Sequence, residues 1–162
     1  MITKAQFTES FNKEIVIIKH LAEKVTPLQL THKPTDGQRT LQELMKYLTH
    51  IFIMGADSAV TGDGEAYKKY VDSPMPTLEN FTAMMDKQMQ DFWALVSPLS
   101  EEEMMKEVTM WGMTQSRAMH LLGLLKVATA YKMQMFLYMK QSGNTGLNTM
   151  NLWAGMDTPP KE

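Results

Sequence analysis

Four histidines, five tyrosines and no cysteine bound the chemistry open to this 162-residue chain. Without cysteine there is no disulfide, no thiolate metal site and no sulfur nucleophile. Imidazole, carboxylate and phenol remain. Imidazole is the commonest metal ligand, and a helical di-metal site places it three residues after a carboxylate, so that both groups share one helix face. The residues three before His20, His32, His50 and His120 are Ile17, Gln29, Tyr47 and Arg117, none of them acidic. The patterns His-Glu-x-x-His, Gly-x-Ser-x-Gly and Gly-x-x-x-x-Gly-Lys are also missing. A lone imidazole makes a poor metal site, because about three protein ligands are usual. Taken singly, His20 flanks an apolar stripe, His32 sits in a loop and reads as solvated, and His50 follows Tyr47 by one helical turn. His120 opens a late helix on the face of Tyr131, but roughly 16 Å along the axis separates the two, too far to share one ion.

The elements that must position these residues read as helices. Phe7, Phe11, Ile15, Ile18, Ala22 and Val25 recur every three or four residues and predict a first helix from about Thr8 to Val25, ended by Pro27. Pro34 and Asp36-Gly37 mark a loop. Thr40 with Glu43 forms a capping-box pattern that opens a second helix running to about Val60, with Leu41, Leu44, Met45, Leu48 and Phe52 inward. Residues 61–76 form a long connection with one short helical turn around Glu65–Val71. Thr77 opens a third helix, which carries Leu78, Phe81, Met85, Met89 and Phe92 inward and is closed by Pro98. Glu101–Glu103 reads as a helix N-terminus after Ser100, where acidic residues favour the dipole, and Val108–Gly112 as a short extended segment. Thr114 or Ser116 caps a fourth helix that runs to about Gln141 and stops at Gly143. Leu152 and Trp153 are expected to pack on the bundle from the tail. The expectation is an all-α four-helix bundle, one domain over 1–162 with its core at about 5–143 and a C-terminal tail over 144–162.

Composition narrows the function classes. A hydrophobic content of 44% with 21% charged residues is that of a globular chain. A net charge of -2 gives no general attraction to nucleic acid or anionic membranes. The start, Met1-Ile2-Thr3-Lys4, lacks the pattern of a signal peptide, and no apolar run is long enough to span a bilayer, so a cytoplasmic location is expected. Seventeen methionines fit a flexibly filled core and also suit an adaptable binding surface.

The loop Lys33-Pro34-Thr35-Asp36-Gly37-Gln38-Arg39 leads into Thr40-Leu41-Gln42-Glu43-Leu44-Met45-Lys46-Tyr47-Leu48. Much later comes Ala130-Tyr131-Lys132-Met133-Gln134-Met135-Phe136-Leu137-Tyr138-Met139-Lys140-Gln141-Ser142-Gly143. In this order and spacing the chain resembles the DinB/YfiT-like family of four-helix bundles. The resemblance implies a divalent metal, often zinc or nickel, held by one histidine of the second helix and two of the fourth at i and i+4. It also implies dimers. The family includes thiol-dependent transferases, an isomerase and many members without an assigned reaction. The matching positions here are Tyr47, Val127 and Tyr131, with Lys132 and Gln134 completing the segment where the family has His-Arg-x-Gln. None of the three is histidine. Valine cannot coordinate, and a phenol pKa near 10 makes tyrosine a poor zinc ligand at neutral pH. His50 lies one turn from Tyr47 and would be alone.

The expected site therefore holds no metal and no cofactor. Its candidate ligand pocket is Tyr47, His50, Val127, Tyr131 and Gln134. Tyr47 and Tyr131 are expected to meet across the bundle, joined by a hydroxyl hydrogen bond. They serve either as a packed polar contact or, with His50 and Gln134, as groups that orient a small molecule. The expected function is a DinB-like domain of unassigned activity that has lost the three-histidine site and binds a small ligand. The alternative is a thiol-dependent transferase of the family type with a displaced metal site, the thiol coming from a cofactor. A third reading is an interaction module that docks a partner on a methionine-rich face or around Trp153. No catalytic residue is assigned, and whether the chain is an enzyme stays open. The partners expected are a small molecule and, by resemblance, a second copy of the chain, with no nucleic acid and no membrane.

Overall fold

The computed structural model describes residues 3–159. Met1, Ile2 and residues 160–162, the two ends of the expected domain and tail, lie outside the described residues. Helix α1 spans Lys4–Ala22. It begins a turn earlier than its apolar stripe, because Thr3 and Gln6 exchange side-chain hydrogen bonds with each other's backbone N–H. Phe11, Ile15, Ile18, Leu21 and Ala22 are buried. Val25 is buried beyond the helix end, and Pro27 opens a 3₁₀ turn over Pro27–Gln29.

The single second helix expected over Thr40–Val60 is two helices, α2 (Leu41–Leu48) and α3 (Ile51–Thr61). The cause lies on another element, α4 (Phe81–Val96). In an unbroken helix the Phe52 N–H would donate to the Leu48 carbonyl. Here the buried amide of Gln88 is inserted between them. Its Nε2 donates to the Leu48 carbonyl at 2.8 Å, and its Oε1 accepts the Phe52 N–H at 2.9 Å. A side chain in the i→i−4 ladder breaks a helix without leaving either backbone group unpaired. Thr49 and His50 occupy the break, His50 at φ -140 and ψ -14. The expected cap at Thr40 is present: its Oγ accepts the Glu43 N–H, and Glu43 accepts the Thr40 N–H at 2.7 Å.

Helix α4 is regular from Phe81, four residues after Thr77; Thr77 and Asn80 exchange side-chain hydrogen bonds with each other's backbone N–H, and the Phe81 N–H donates to the Thr77 carbonyl at 3.1 Å. A short 3₁₀ turn, Ala66–Lys69, stands where one helical turn was expected. Ser100 caps α5 (Glu101–Met105). The extended segment proves to be a hairpin of β1 (Glu107–Met110) and β2 (Met113–Ser116), with Met110 opposite Met113. Its two-residue tip, Trp111 and Gly112, takes φ of 50 and 77, the left-handed pair that matches strand twist in a tight hairpin. Ser116 then caps α6 (Arg117–Gln141), and α7 (Thr149–Trp153) follows.

The fold is all-α, with α1, the broken α2–α3 pair, α4 and α6 as the four columns of the bundle. Helix α6 packs on α1, α2 and α3, while α4 packs on α1 and α3. Phe11, Phe52 and Phe92 meet at the centre, their ring centroids 5.4 and 4.8 Å from that of Phe11. Leu152 is buried against the bundle, whereas Trp153 is more exposed than expected and lays its ring over Lys132 Nζ at 4.9 Å. Among the described residues no helix is long and apolar enough to cross a membrane.

Candidate functional site

The break between α2 and α3 sets the site. Tyr47 stands in the last turn of α2 and His50 in the break itself, with ring centroids 5.6 Å apart and nearly perpendicular. Tyr131 approaches from α6, its ring 5.2 Å from that of Tyr47 and tilted by 67°. The edge-to-face contact is of the favourable kind, but the expected hydroxyl hydrogen bond is not a well-formed one. Beside Tyr47 lies an open cleft of about 560 Å³, bordered by the loop residues Gln38 and Arg39, by Lys46, Tyr47 and His50, and by Met54, Tyr67 and Val71. A second, smaller cleft of about 380 Å³ lies on the far side of His50, against Tyr70 and Gln88. His50 is the shared wall.

Tyr47 and His50 thus line the larger cleft, while Val127, Tyr131 and Gln134 are not among its lining residues. Val127 packs half-buried against the core one turn before Tyr131. Gln134 turns along its own helix and donates Nε2 to the Tyr138 hydroxyl at 2.8 Å, an i, i+4 partner always within reach. Tyr131 backs the ring of Tyr47 and holds it at the cleft wall.

Burial drives both ring groups of the wall toward neutrality. It pushes the Tyr47 phenol up to about 12, helped by Tyr131 and opposed by the Arg39 charge. It also pushes the His50 imidazole below its ordinary value; the Lys46 and Arg39 charges act in the same direction, and the Lys46 carbonyl acts against them. His50 Nδ1 is buried without a well-formed hydrogen bond. The Arg39 guanidinium carbon lies 4.4 Å from the Tyr47 ring centroid, a cation–π arrangement. Glu43, the carboxylate of this wall, is committed to the Thr40 cap, whose N–H and hydroxyl hold it below the usual carboxylate range.

No family model and no curated protein matches this chain. Solved structures do. A DinB-like protein (YjoA) of Bacillus subtilis superposes with a TM-score of 0.73 at 19% identity, over 88% of this chain and 96% of that one. A DinB-like protein of Bacillus cereus ATCC 10987 gives 0.71 at 19% identity, over 87% and 93%. The chain has the DinB-like fold. Identity at this level carries the fold and leaves the chemistry of the site to the residues present.

Those residues offer little to a cation. At the three positions where the DinB/YfiT resemblance implies histidine ligands, Val127 has no donor atom, and the Tyr47 phenol stays protonated at neutral pH. Among the described residues no three His, Cys, Asp or Glu side chains gather as a metal ion would require. His120 has both nitrogens engaged: Nε2 lies 3.1 Å from the Val108 carbonyl and Nδ1 lies 3.0 Å from Gln115 Nε2. It holds the hairpin to α6. His20 meets Asn151 of α7 at 3.2 Å. His32 is only partly exposed, where its loop position predicted a solvated ring; the ring stands edge-on to Tyr138 at 6.0 Å with Nε2 enclosed, because the loop folds back onto α6.

Sequence reasoning did not single out Arg39, Lys46 or Tyr67 as site residues. Lys46 precedes His50 by four residues, but Arg39 lies in the loop before the Thr40 cap, and no helical spacing brings it onto the Tyr47 ring. Nothing in the sequence pattern joins Tyr67 to Tyr47 across the intervening connection.

Proposed function

We propose that this DinB-like chain binds a small organic molecule in the cleft beside Tyr47 and His50, without the three-histidine metal centre. The observation that supports the reading is the packing of two tyrosine rings beside an open cleft. At two of the positions where the resemblance implies histidine ligands, the rings of Tyr47 and Tyr131 stand with centroids 5.2 Å apart, and the adjoining cleft measures about 560 Å³. That volume suits a small organic ligand, and the wall mixes apolar side chains with a few oriented polar ones, as such sites do. Tyr47 offers a protonated hydroxyl and His50 a neutral imidazole, groups that orient a ligand but do not activate one strongly at neutral pH. A contiguous core running from Phe11 to Leu152 supports reading the chain as one domain with this cleft on its side.

The test is a fragment screen on isotopically labelled protein, followed by amide chemical shifts. Binding fragments are expected to move the resonances of Arg39, Tyr47, His50, Tyr67 and Val71 together. Fragments that bind reproducibly elsewhere and leave these five still would contradict the assignment.

A further inference from the structure

The charges around the cleft are unevenly satisfied. Arg39 and Lys46 both border it, and among the described residues neither forms an ion pair. The neighbouring lysine, Lys33, is different: it is paired with Asp36 at 3.1 Å. Glu43 is the carboxylate on this wall, and it is spent on the N-terminal cap of α2. The cleft lining also includes the apolar and aromatic side chains of Met54, Tyr67 and Val71. Arg39 lies across the Tyr47 ring, which holds the planar guanidinium at the mouth of the cleft without consuming its outer N–H donors.

We propose that the ligand is a small organic carboxylate, its apolar or planar body on Tyr47, Tyr67, Met54 and Val71 and its charge on Arg39 and Lys46. This rests on the cleft reading above and narrows it to a chemical class. Arginine fits the carboxylate geometry, since its fork can donate two parallel hydrogen bonds, and Lys46 supplies a second, mobile point charge. A cationic ligand would meet two like charges at the mouth. A neutral one would gain the aromatic wall but none of the charge-assisted hydrogen bonds.

Three probes of one shape separate the possibilities: naphthoate, naphthylmethanol and naphthylmethylamine, titrated by calorimetry against the full chain. Naphthoate is expected to bind saturably and about tenfold more tightly than the alcohol, with the amine weakest. Arg39→Gln and Lys46→Gln are each expected to weaken naphthoate about tenfold and to leave the alcohol unchanged. Glu43→Gln, which keeps a capping-competent side chain, is expected to tighten naphthoate roughly two- to fivefold by removing the opposing charge. Equal binding of the acid and the alcohol, or naphthoate binding indifferent to both cationic substitutions, overturns the carboxylate assignment and leaves the cleft standing. Failure of all three probes to bind overturns the cleft reading, and the carboxylate falls with it. Circular dichroism of each variant separates lost binding from lost folding.

Discussion

Burial acts on Tyr47 and His50 in opposite directions on the pKa scale and in the same direction chemically, since it favours the uncharged form of each. For Tyr47 the folded-state value, about 12, lies above the ordinary value near 10, so the folded protein holds that proton more tightly. The associated stability is complete below about pH 10 and is lost as pH rises from there through about 12. Tyr70, which donates its hydroxyl to Asp57 at 2.9 Å and is likewise raised to about 12, acts in the same window. Tyr47→Phe is therefore expected to remove one late-titrating phenol from the tyrosinate absorbance of the natural chain. For His50 the folded value is depressed, so its contribution is present above about pH 6.5 and is lost as pH falls below that. Urea titrations at neutral and mildly acidic pH are expected to show a smaller acid loss in His50→Gln than in the natural chain. Equal losses would mean that His50 is solvated. At this scale the meeting of Tyr47 with Tyr131 was legible through the DinB/YfiT resemblance, which implies that these two positions share one site. The direction of Gln134 was not, because its choice of the Tyr138 hydroxyl over the bundle interior is a rotamer decision that spacing leaves open.

Gln88 makes the site possible at the level of elements. Its amide takes both partners of the missing Phe52-to-Leu48 hydrogen bond and so holds open the turn from which His50 projects. Gln88→Leu fills the same space but leaves a buried N–H and a buried carbonyl unpaired, which costs about 2–4 kcal/mol if the break persists. If the helix heals instead, the stability loss is smaller and His50 moves. Chemical denaturation together with the amide exchange rate of Phe52 distinguishes these outcomes, and either one supports the role given to Gln88. No change in both would contradict it. The caps at Thr40 and Ser100 were readable because each is a local pattern of hydroxyl and following helix, and Ser116 is one of the two candidates, with Thr114, that the pattern offered for α6. The break was not, since the residue that causes it lies 40 positions from Leu48 and the apolar pattern of α2 and α3 continues through it.

Across the molecule, α1, α6 and α7 are joined by one charged contact. Lys132, 1% exposed, places Nζ 2.7 Å from Glu14 Oε2 under the ring of Trp153. The approach is close, but its angles are outside hydrogen-bond geometry, so charge attraction rather than direction holds it. Removing one partner of such a pair is costly, while replacing both with apolar side chains of similar size is near neutral or favourable. Lys132→Ala is expected to destabilise by about 3 kcal/mol, and Glu14→Leu with Lys132→Met to recover most of it, as read by urea unfolding. A double variant as weak as the single would show that the charges themselves are needed. The all-α bundle was legible from three apolar stripes and from the cap and glycine stop that bound the fourth helix, because these signals are written along each helix's own residues. Tyr47, Val127 and Tyr131 were legible as site candidates through the DinB/YfiT resemblance, which implies histidines there; the cleft beside Tyr47 depends on how a loop, a break and a connection come together. The metal content of untagged protein, purified without nickel and measured by plasma mass spectrometry, tests the reading most directly. No zinc, nickel or other first-row metal approaching stoichiometry is expected. About one metal per chain, lost on substitution of His50, would contradict it.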